Sequence, residues 1–343
     1  MSGVPAGPPH EVTCLPVDGI GEVRPGADLA ELLTDVVDLR DGDVVVVTSK
    51  VVSKAEGRVV TGSREDALDR ETDRTVAVRG RTAIVRNRLG LVMAAAGIDA
   101  SNTAPDTVVL LPEDPDATAR RLREDLRRRS GRNVAVLVTD TAGRAWREGQ
   151  TDIAIGAAGL DPLHAYAGLT DPHGNELAVT APAIADEIAS AADLVKRKLD
   201  RRPAAVVRGL GELVLGPGKH GPGATALVRA EATDMFGLGA REAVMAALRR
   251  QDSRGFGAPA SASDLVSALT TLAGGRATVT AAEDSVTARL DGGDDYEAGM
   301  ITASLRAAAF AHGWHAETEQ AGADRAGTEQ GNDTLLRLRP ASP

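Results

Sequence analysis

Residues Leu137 to Gly156 read LVTDTAGRAWREGQTDIAIG, an apolar run that stops on an acid and a hydroxyl and then turns to glycine, arginine and tryptophan. Such a run reads as a buried strand whose polar exit carries Asp140 and Thr141. A second apolar stretch, Leu91 to Asp99 (LVMAAAGID), also ends on an acid and is followed by Ser101 and Asn102. Two such ends can converge on one cation. Hard oxygen donors suit Mg²⁺ or Mn²⁺, which keep open positions for phosphate oxygens, so the chemistry indicated is metal-assisted phosphoryl transfer.

At 343 residues the chain is longer than one average domain and can bury a large core, so two domains are expected. The formal net charge is -10, and basic and aromatic residues are nowhere interleaved. That pattern offers neither a phosphate-tracking groove nor a stacking platform, and nucleic acid is not an expected partner. A charged leader with an apolar core is not seen, nor is an apolar segment of membrane-spanning length, so a cytoplasmic protein without a membrane partner is expected. Cys14 is the only cysteine, which excludes an internal disulfide and leaves no material for a thiolate metal site. Lysine occurs only at positions 50, 54, 196, 198 and 219. Two of these lie in TSKVVSKAEGR. A solvated pair is the plain reading, yet a compact ammonium is also what a phosphate needs.

The Gly/Pro-rich stretch Met1 to Pro9 reads as a disordered tail. Strands are expected at Val12–Val17, Asp43–Ser49, Thr82–Val85, Thr107–Leu111, Asn133–Thr139, Asp152–Ile155 and Ala204–Arg208. Helices are expected over Pro115–Ser130, about Pro182–Leu199 and about Thr233–Arg250. The first of these has Asp114 as its N-cap, proline at the first position and Gly131 just past its end. The spacing lacks the even alternation of a doubly wound sheet, so the expected fold is α+β or irregular α/β, with mixed sheets and flanking helices. The loop 209–223 (GLGELVLGPGKHGPG) reads as a mobile lid or a flexible surface loop. Residues 10–250 form the expected main domain, 251–263 a linker, and 264–343 a small α+β module without a catalytic constellation.

Asp43 to Arg58 (DVVVVTSKVVSKAEGR) is a buried valine strand whose exit delivers Ser49, Lys50, Ser53 and Lys54 to one place. It lacks P-loop spacing, and no GxGxxG follows a strand elsewhere. GIDASN, taken alone, reads as a cap or an Asx-turn. The arginine pair Arg144 and Arg147, flanking Trp146 between two strands, suits bidentate contact with phosphate or carboxylate. Asp152 reads as structural, as do His164 and His173, and no GxSxG elbow supports acyl-enzyme hydrolysis.

Taken together, TSKVVSKAEGR, AGIDASN, LLPEDPDATARRLR, TDTAGRAWREGQTDIAIG and PAAVVRGL, in this order, resemble the coenzyme F420-0:L-glutamate ligases (F420:γ-glutamyl ligases) over roughly His10 to Arg250. The resemblance implies GTP-dependent amide formation between the lactyl carboxylate of F420-0 and L-glutamate, then γ-linked additions, by a homodimer. It implies that Asp99, Asp140 and Thr141 hold divalent cations. Asn102, Ser49, Lys50 and Lys54 would contact the nucleotide, with the turn Ile20, Gly21, Glu22 and Val23. The segment Lys196 to Pro203, reading KRKLDRRP, would join them through Lys196, Arg197 and Lys198. It departs from the family at Arg197, where relatives often carry glycine. Roughly 90 residues follow Arg250, too few for the flavin-binding domain of two-domain relatives, so no FMN is expected. Arg144 and Arg147 are the candidates for clamping a substrate carboxylate or phosphate. GTP is not separable from ATP by sequence, nor Mg²⁺ from Mn²⁺. A γ-glutamyl ligase with another acceptor is a second reading, and a non-catalytic nucleotide or F420 sensor a third.

Overall fold

The computed structural model describes residues 11–101, 104–177, 180–282, 284–291, 294–320 and 334–341. The expected tail 1–9 and Asn102 lie outside these residues. The protein is a mixed α+β structure built on a five-stranded sheet, in the order Thr13–Val17, Ala204–Arg208, Val44–Thr48, Ala135–Arg144, Arg147–Ala158. Val44–Thr48 and Ala135–Arg144 run parallel, Val44 beside Ala135 and Thr48 beside Thr139, while every other neighbouring pair in this sheet is antiparallel.

Four consecutive valines are stable at the centre of this sheet because both of its faces are covered. Alternate side chains point to opposite faces. Val45, Val47, Val136 and Val138 pack with Leu33, Val52, Leu122 and Leu126 from the helices Leu29–Thr34, Ser49–Ala55 and Pro115–Ser130. Val44, Val46, Ala135 and Leu137 pack on the other face with Ala185, Ile188 and Ala192 of the helix Ile184–Lys196. Each fully buried valine or leucine contributes about 1.5–3 kcal/mol.

The helix Pro115–Ser130 has the ends its sequence predicts: Asp114 accepts from Ala117 N–H at 2.8 Å, and Gly131 closes it at φ 72°. The helix expected from Pro182 is shorter, Ile184–Lys196, and stops where Arg197 takes φ 52°. The strands around the TDTAGR motif are longer than expected. Ala135–Arg144 and Arg147–Ala158 form one continuous hairpin, closed by Ala145 and Trp146, where a loop was expected. Paired backbone carries the polar run through, and no apolar alternation marks it in the sequence.

The hairpin's second strand is the sheet edge, and its outward N–H groups are covered by side chains instead of another strand. Asp186 accepts from Ala154 N–H and Asp116 from Ala157 N–H, both at 2.8 Å. Asp116 also accepts from Ala224 N–H at 2.7 Å and from the Thr225 hydroxyl at 2.6 Å. Arg123 donates to the carbonyls of Leu215 and Lys219 at 2.8 and 2.7 Å. The stretch 215–225, which overlaps the loop expected over 209–223, is therefore held at both ends. Gly156 is required by a close approach: a Cβ there would meet Pro115 O at 2.4 Å.

Smaller sheets flank the first unit: Thr72–Arg79, Thr82–Asn87 and Val92–Ala94 in one, Val59–Thr61 and Thr107–Val109 in another. The chain divides into two compact units at Val228/Arg229. In the second, four antiparallel strands in the order Ala277–Ala282, Ser285–Leu290, Thr334–Pro340, Trp314–Gln320 pack with the helices Ala262–Ala273 and Asp295–Ala311 around Leu265, Leu269, Leu305, Trp314 and Leu336. The helix Ala240–Arg249, grouped by sequence with the first domain, contacts Asp295–Ala311 in this second unit. The strand Trp314–Gln320 was not anticipated, although Trp314 and Ala316 alternate with His315 and Glu317 and pack into this core. Among the described residues no helix is long and apolar enough to cross a membrane.

Candidate active site

The valine strand Val44–Thr48 passes directly into the helix Ser49–Ala55, so the serine and lysines of TSKVVSK stand on helical turns at the strand's exit. Beside it, the parallel strand delivers Asp140. The buried Ser49 hydroxyl donates to Asp140 Oδ1 at 2.7 Å. Burial pushes the Asp140 carboxyl up to about 7; the nearby carboxylates of Asp152 and Asp99 add to the rise, and the Ser49 hydrogen bond opposes it.

Asp99 arrives by a different route from the one its sequence suggests. The stretch LVMAAAGID is not one buried strand: Val92–Ala94 is followed by Ala95, Ala96 and Gly97 at φ 49°, 55° and 77°. Left-handed backbone at two alanines is strained, and strain of this kind collects at functional sites. The turn sets Asp99 in a bridge with Val109 and presents its carboxylate to Lys50 Nζ at 2.5 Å. Lys50 also donates to Ser101 O and Oγ at 2.8 and 3.0 Å, and Ser101 N–H donates to Asp99 Oδ1 at 2.7 Å. Burial would raise the Asp99 carboxyl, but Lys50 and Ser101 together hold it below its ordinary value.

One turn along the same helix, Lys54 Nζ lies 2.5 Å from Glu22 Oε1. The hydrogen bond and charge of Lys54 lower the Glu22 carboxyl. This fixes the turn Ile20–Val23 against the helix, with Val23 buried, Ile20 packed on the core and open space beside Gly21. Ser49, Lys50 and Lys54 of this one helix thus meet Asp140, Asp99 and Glu22, a polar cluster on its side of the sheet.

Thr141 does not share it. Strand alternation sends Thr139 and Thr141 to the opposite face of the sheet from Asp140, towards the helix Ile184–Lys196. There Thr141 Oγ1 donates to Asp152 Oδ1 at 2.9 Å and Thr139 Oγ1 to Asp152 Oδ2 at 3.0 Å. Lys196 Nζ donates to the same Oδ2 at 2.6 Å, and both members of the pair are only 2% exposed. Lys196 therefore spends its charge inside the protein, while Arg197 and Lys198 are exposed in the segment that follows. Arg144 and Arg147 pair across the hairpin end beside Trp146, which is 82% exposed at φ 56°. Four residues of strand put that tip about 13 Å from Asp140. The sequence reading of Asp152 as structural fits its place in this buried ion pair. The T-D-T spacing did hold the signal that two hydroxyls share a face, but the acid that joins them follows only from the hairpin register.

Among the described residues no three carboxylates, histidines or cysteines gather into a ready-made metal cage. The donor set nevertheless fits a hard divalent cation. It is oxygen only, and Asp140 is a carboxylate whose ionised form is disfavoured by burial and by two neighbouring acids, a charge that a cation would offset.

A family model described as F420-0:Gamma-glutamyl ligase matches residues 19–209. A coenzyme F420:L-glutamate ligase of Methanopyrus kandleri is 40% identical over 239 residues, 63% of this chain and 93% of that protein. Proteins of the same name from Haloarcula marismortui and Archaeoglobus fulgidus are 40% and 38% identical, over 56% and 58% of this chain and 85% and 88% of their own lengths. Fold, site and relatives together define an enzyme, a ligase. The chain belongs to the F420-0:gamma-glutamyl ligase family, as its motifs suggested.

Proposed function

We propose that this ligase forms an amide between the carboxylate of coenzyme F420-0 and the amino group of L-glutamate, with GTP as co-substrate, acting as a homodimer in F420 biosynthesis. The observation that carries the reading is the meeting of Ser49 and Lys50, at the exit of the strand Val44–Thr48, with Asp140 of the neighbouring strand and with Asp99, in a chain of this family. A carboxylate is a poor electrophile. Transfer of the γ-phosphoryl group of GTP to it gives an acyl phosphate and GDP; the glutamate nitrogen then bonds to the acyl carbon, phosphate leaves, and the nitrogen loses a proton.

Asp99 and Asp140 would hold Mg²⁺ or Mn²⁺, which when bound neutralises the crowded phosphate oxygens. Lys50 and Lys54 add positive charge, and positioning with electrostatics supplies most of such catalysis. Ser49 orients the Asp140 carboxylate. Gly21, with open space where a Cβ would stand, leaves room for a nucleotide beside the turn. The exposed Arg144 and Arg147 are suited to a carboxylate or phosphate of a substrate that spans from the site to the hairpin tip.

The test is mass spectrometry of F420-0 incubated with the protein, L-glutamate, GTP and Mn²⁺, with ATP and Mg²⁺ exchanged in parallel. A gain of one or more glutamyl masses supports the reading. Phosphate release with an unchanged F420-0 mass identifies another acceptor, and nucleotide binding without phosphate release in the presence of both substrates identifies a sensor. Light scattering checks the dimer.

A further inference from the structure

Resting on that reading, we propose that Ser53 is a positioning residue of the cation site: its hydroxyl, unpaired in the free protein, joins Ser49 on the Asp140 carboxylate when the site holds a divalent cation. Ser53 is 1% exposed, and its Oγ is sealed from water without a hydrogen-bond partner. Leaving a buried hydroxyl unpaired costs more than replacing it by an apolar group, and alanine is the better helix former. The free fold therefore gains nothing from a serine here.

The helix offers the hydroxyl a partner that it does not take. A serine or threonine in a helix can bond the carbonyl four residues back. Thr34, Ser130 and Ser304 do so in this chain, at 2.8, 2.7 and 2.9 Å from the carbonyls of Ala30, Leu126 and Met300. Ser53 Oγ makes no such bond to the Ser49 carbonyl. At about 100° per residue, Ser53 stands about 40° round the helix from Ser49 and about 60° from Lys50. It lies between the residue that meets Asp140 and the one that meets Asp99. Its Cβ is about 5–6 Å from that of Ser49, and helical side chains lean towards the N-terminal turn, the level at which Ser49 Oγ meets Asp140. That carboxylate has room for it. Asp140 takes the Ser49 hydroxyl and the Thr141 N–H, two of about four acceptor positions. Hydrogen bonds to a ligating carboxylate orient it for the metal, and losing one typically lowers metal affinity about 10–100-fold.

The test measures Mn²⁺ affinity by electron paramagnetic resonance without nucleotide, and melting temperature with and without Mn²⁺. Ser53→Ala is expected to keep or raise the melting temperature of the metal-free protein, to lower Mn²⁺ affinity about tenfold or more, and to shrink the rise in melting temperature that Mn²⁺ produces. A merely structural serine would move the metal-free melting temperature alone, so wild-type Mn²⁺ affinity in Ser53→Ala overturns the proposal. Ser49→Ala checks the shared carboxylate. In that background Ser53→Ala should cost less than about threefold, and a full, additive loss overturns the assignment to Asp140. If Ser53→Ala does not fold, Ser53→Cys, close in size and a weak donor, decides on the same Mn²⁺ thresholds. Asp140→Asn separates this proposal from the reading beneath it. Lost Mn²⁺ binding in Asp140→Asn beside wild-type binding in Ser53→Ala refutes the proposal alone, whereas wild-type Mn²⁺ affinity in Asp140→Asn removes the cation reading and this proposal with it.

Discussion

Lys50 Nζ and Asp99 Oδ2 are 2.5 Å apart, so the lysine expected on a phosphate and the acid expected on a metal neutralise each other. A cation arriving at Asp99 competes with that ammonium and frees it for a phosphate. Lys50→Met removes the competitor. For a partly exposed pair worth about 1 kcal/mol, Mn²⁺ affinity without nucleotide is expected to rise about fivefold, while glutamate addition falls by roughly a hundredfold. Metal titration by paramagnetic resonance, beside the mass assay, reads both; a lower Mn²⁺ affinity would contradict the competition.

Asp140 predicts a pH dependence in the ligand-free protein. Its folded value of about 7 lies above the ordinary 3.8, so between those values the native state holds a proton that the unfolded chain has lost. The stability linked to this group is full below about pH 4 and is lost as pH rises through about 7. Urea titrations at pH 5 and pH 8 should show a decline that Asp140→Asn flattens and that saturating Mg²⁺ offsets. The same variant should lower glutamate addition by about a thousandfold, an effect of roughly 4 kcal/mol on the transition state.

Arg197→Gly should stabilise the fold. Relief of a left-handed non-glycine residue, less the added freedom of the unfolded chain, leaves a gain of about 1 kcal/mol. That corresponds to a rise of about 2–4 °C in melting temperature. Calorimetry checks it, and a fall would mean that the Arg197 side chain holds the segment more firmly than its backbone strains it.

Asp116→Ala should loosen the stretch 215–225. It strips the acceptor from Ala157 N–H, Ala224 N–H and the Thr225 hydroxyl at once. Leaving several buried donors unsatisfied costs about 3 kcal/mol. Hydrogen exchange at Ala224 and Thr225 should accelerate with the loss; protection equal to wild type would show that Arg123 alone suffices.

The central elements were legible because their physics is local. Burial on both faces writes itself as a run of valines, and the helix Pro115–Ser130 carries its own cap, proline and terminal glycine. The hairpin arm was not legible, because GRAWREGQ, residues 143–150, has no apolar alternation, and its strand geometry on either side of Ala145 and Trp146 comes from backbone pairing. Nor was the helix at Ser49–Ala55, only seven residues long and held by packing at Val52 more than by propensity.

The candidate site divides along the same line. Sequence by itself determined which oxygens and ammonium groups lie beside apolar runs, and at Ser49 and Lys50 that they follow a buried strand. Only the tertiary structure decided who meets whom. Ser49 and Asp140 are 91 residues apart, Asp152 and Lys196 are 44 apart, and the order of strands in the sheet sets both meetings. The separation of Asp140 from Thr141 has the same origin. Alternation puts neighbours on opposite faces, and long-range packing determines that one face meets the lysine helix Ser49–Ala55 and the other the buried Lys196.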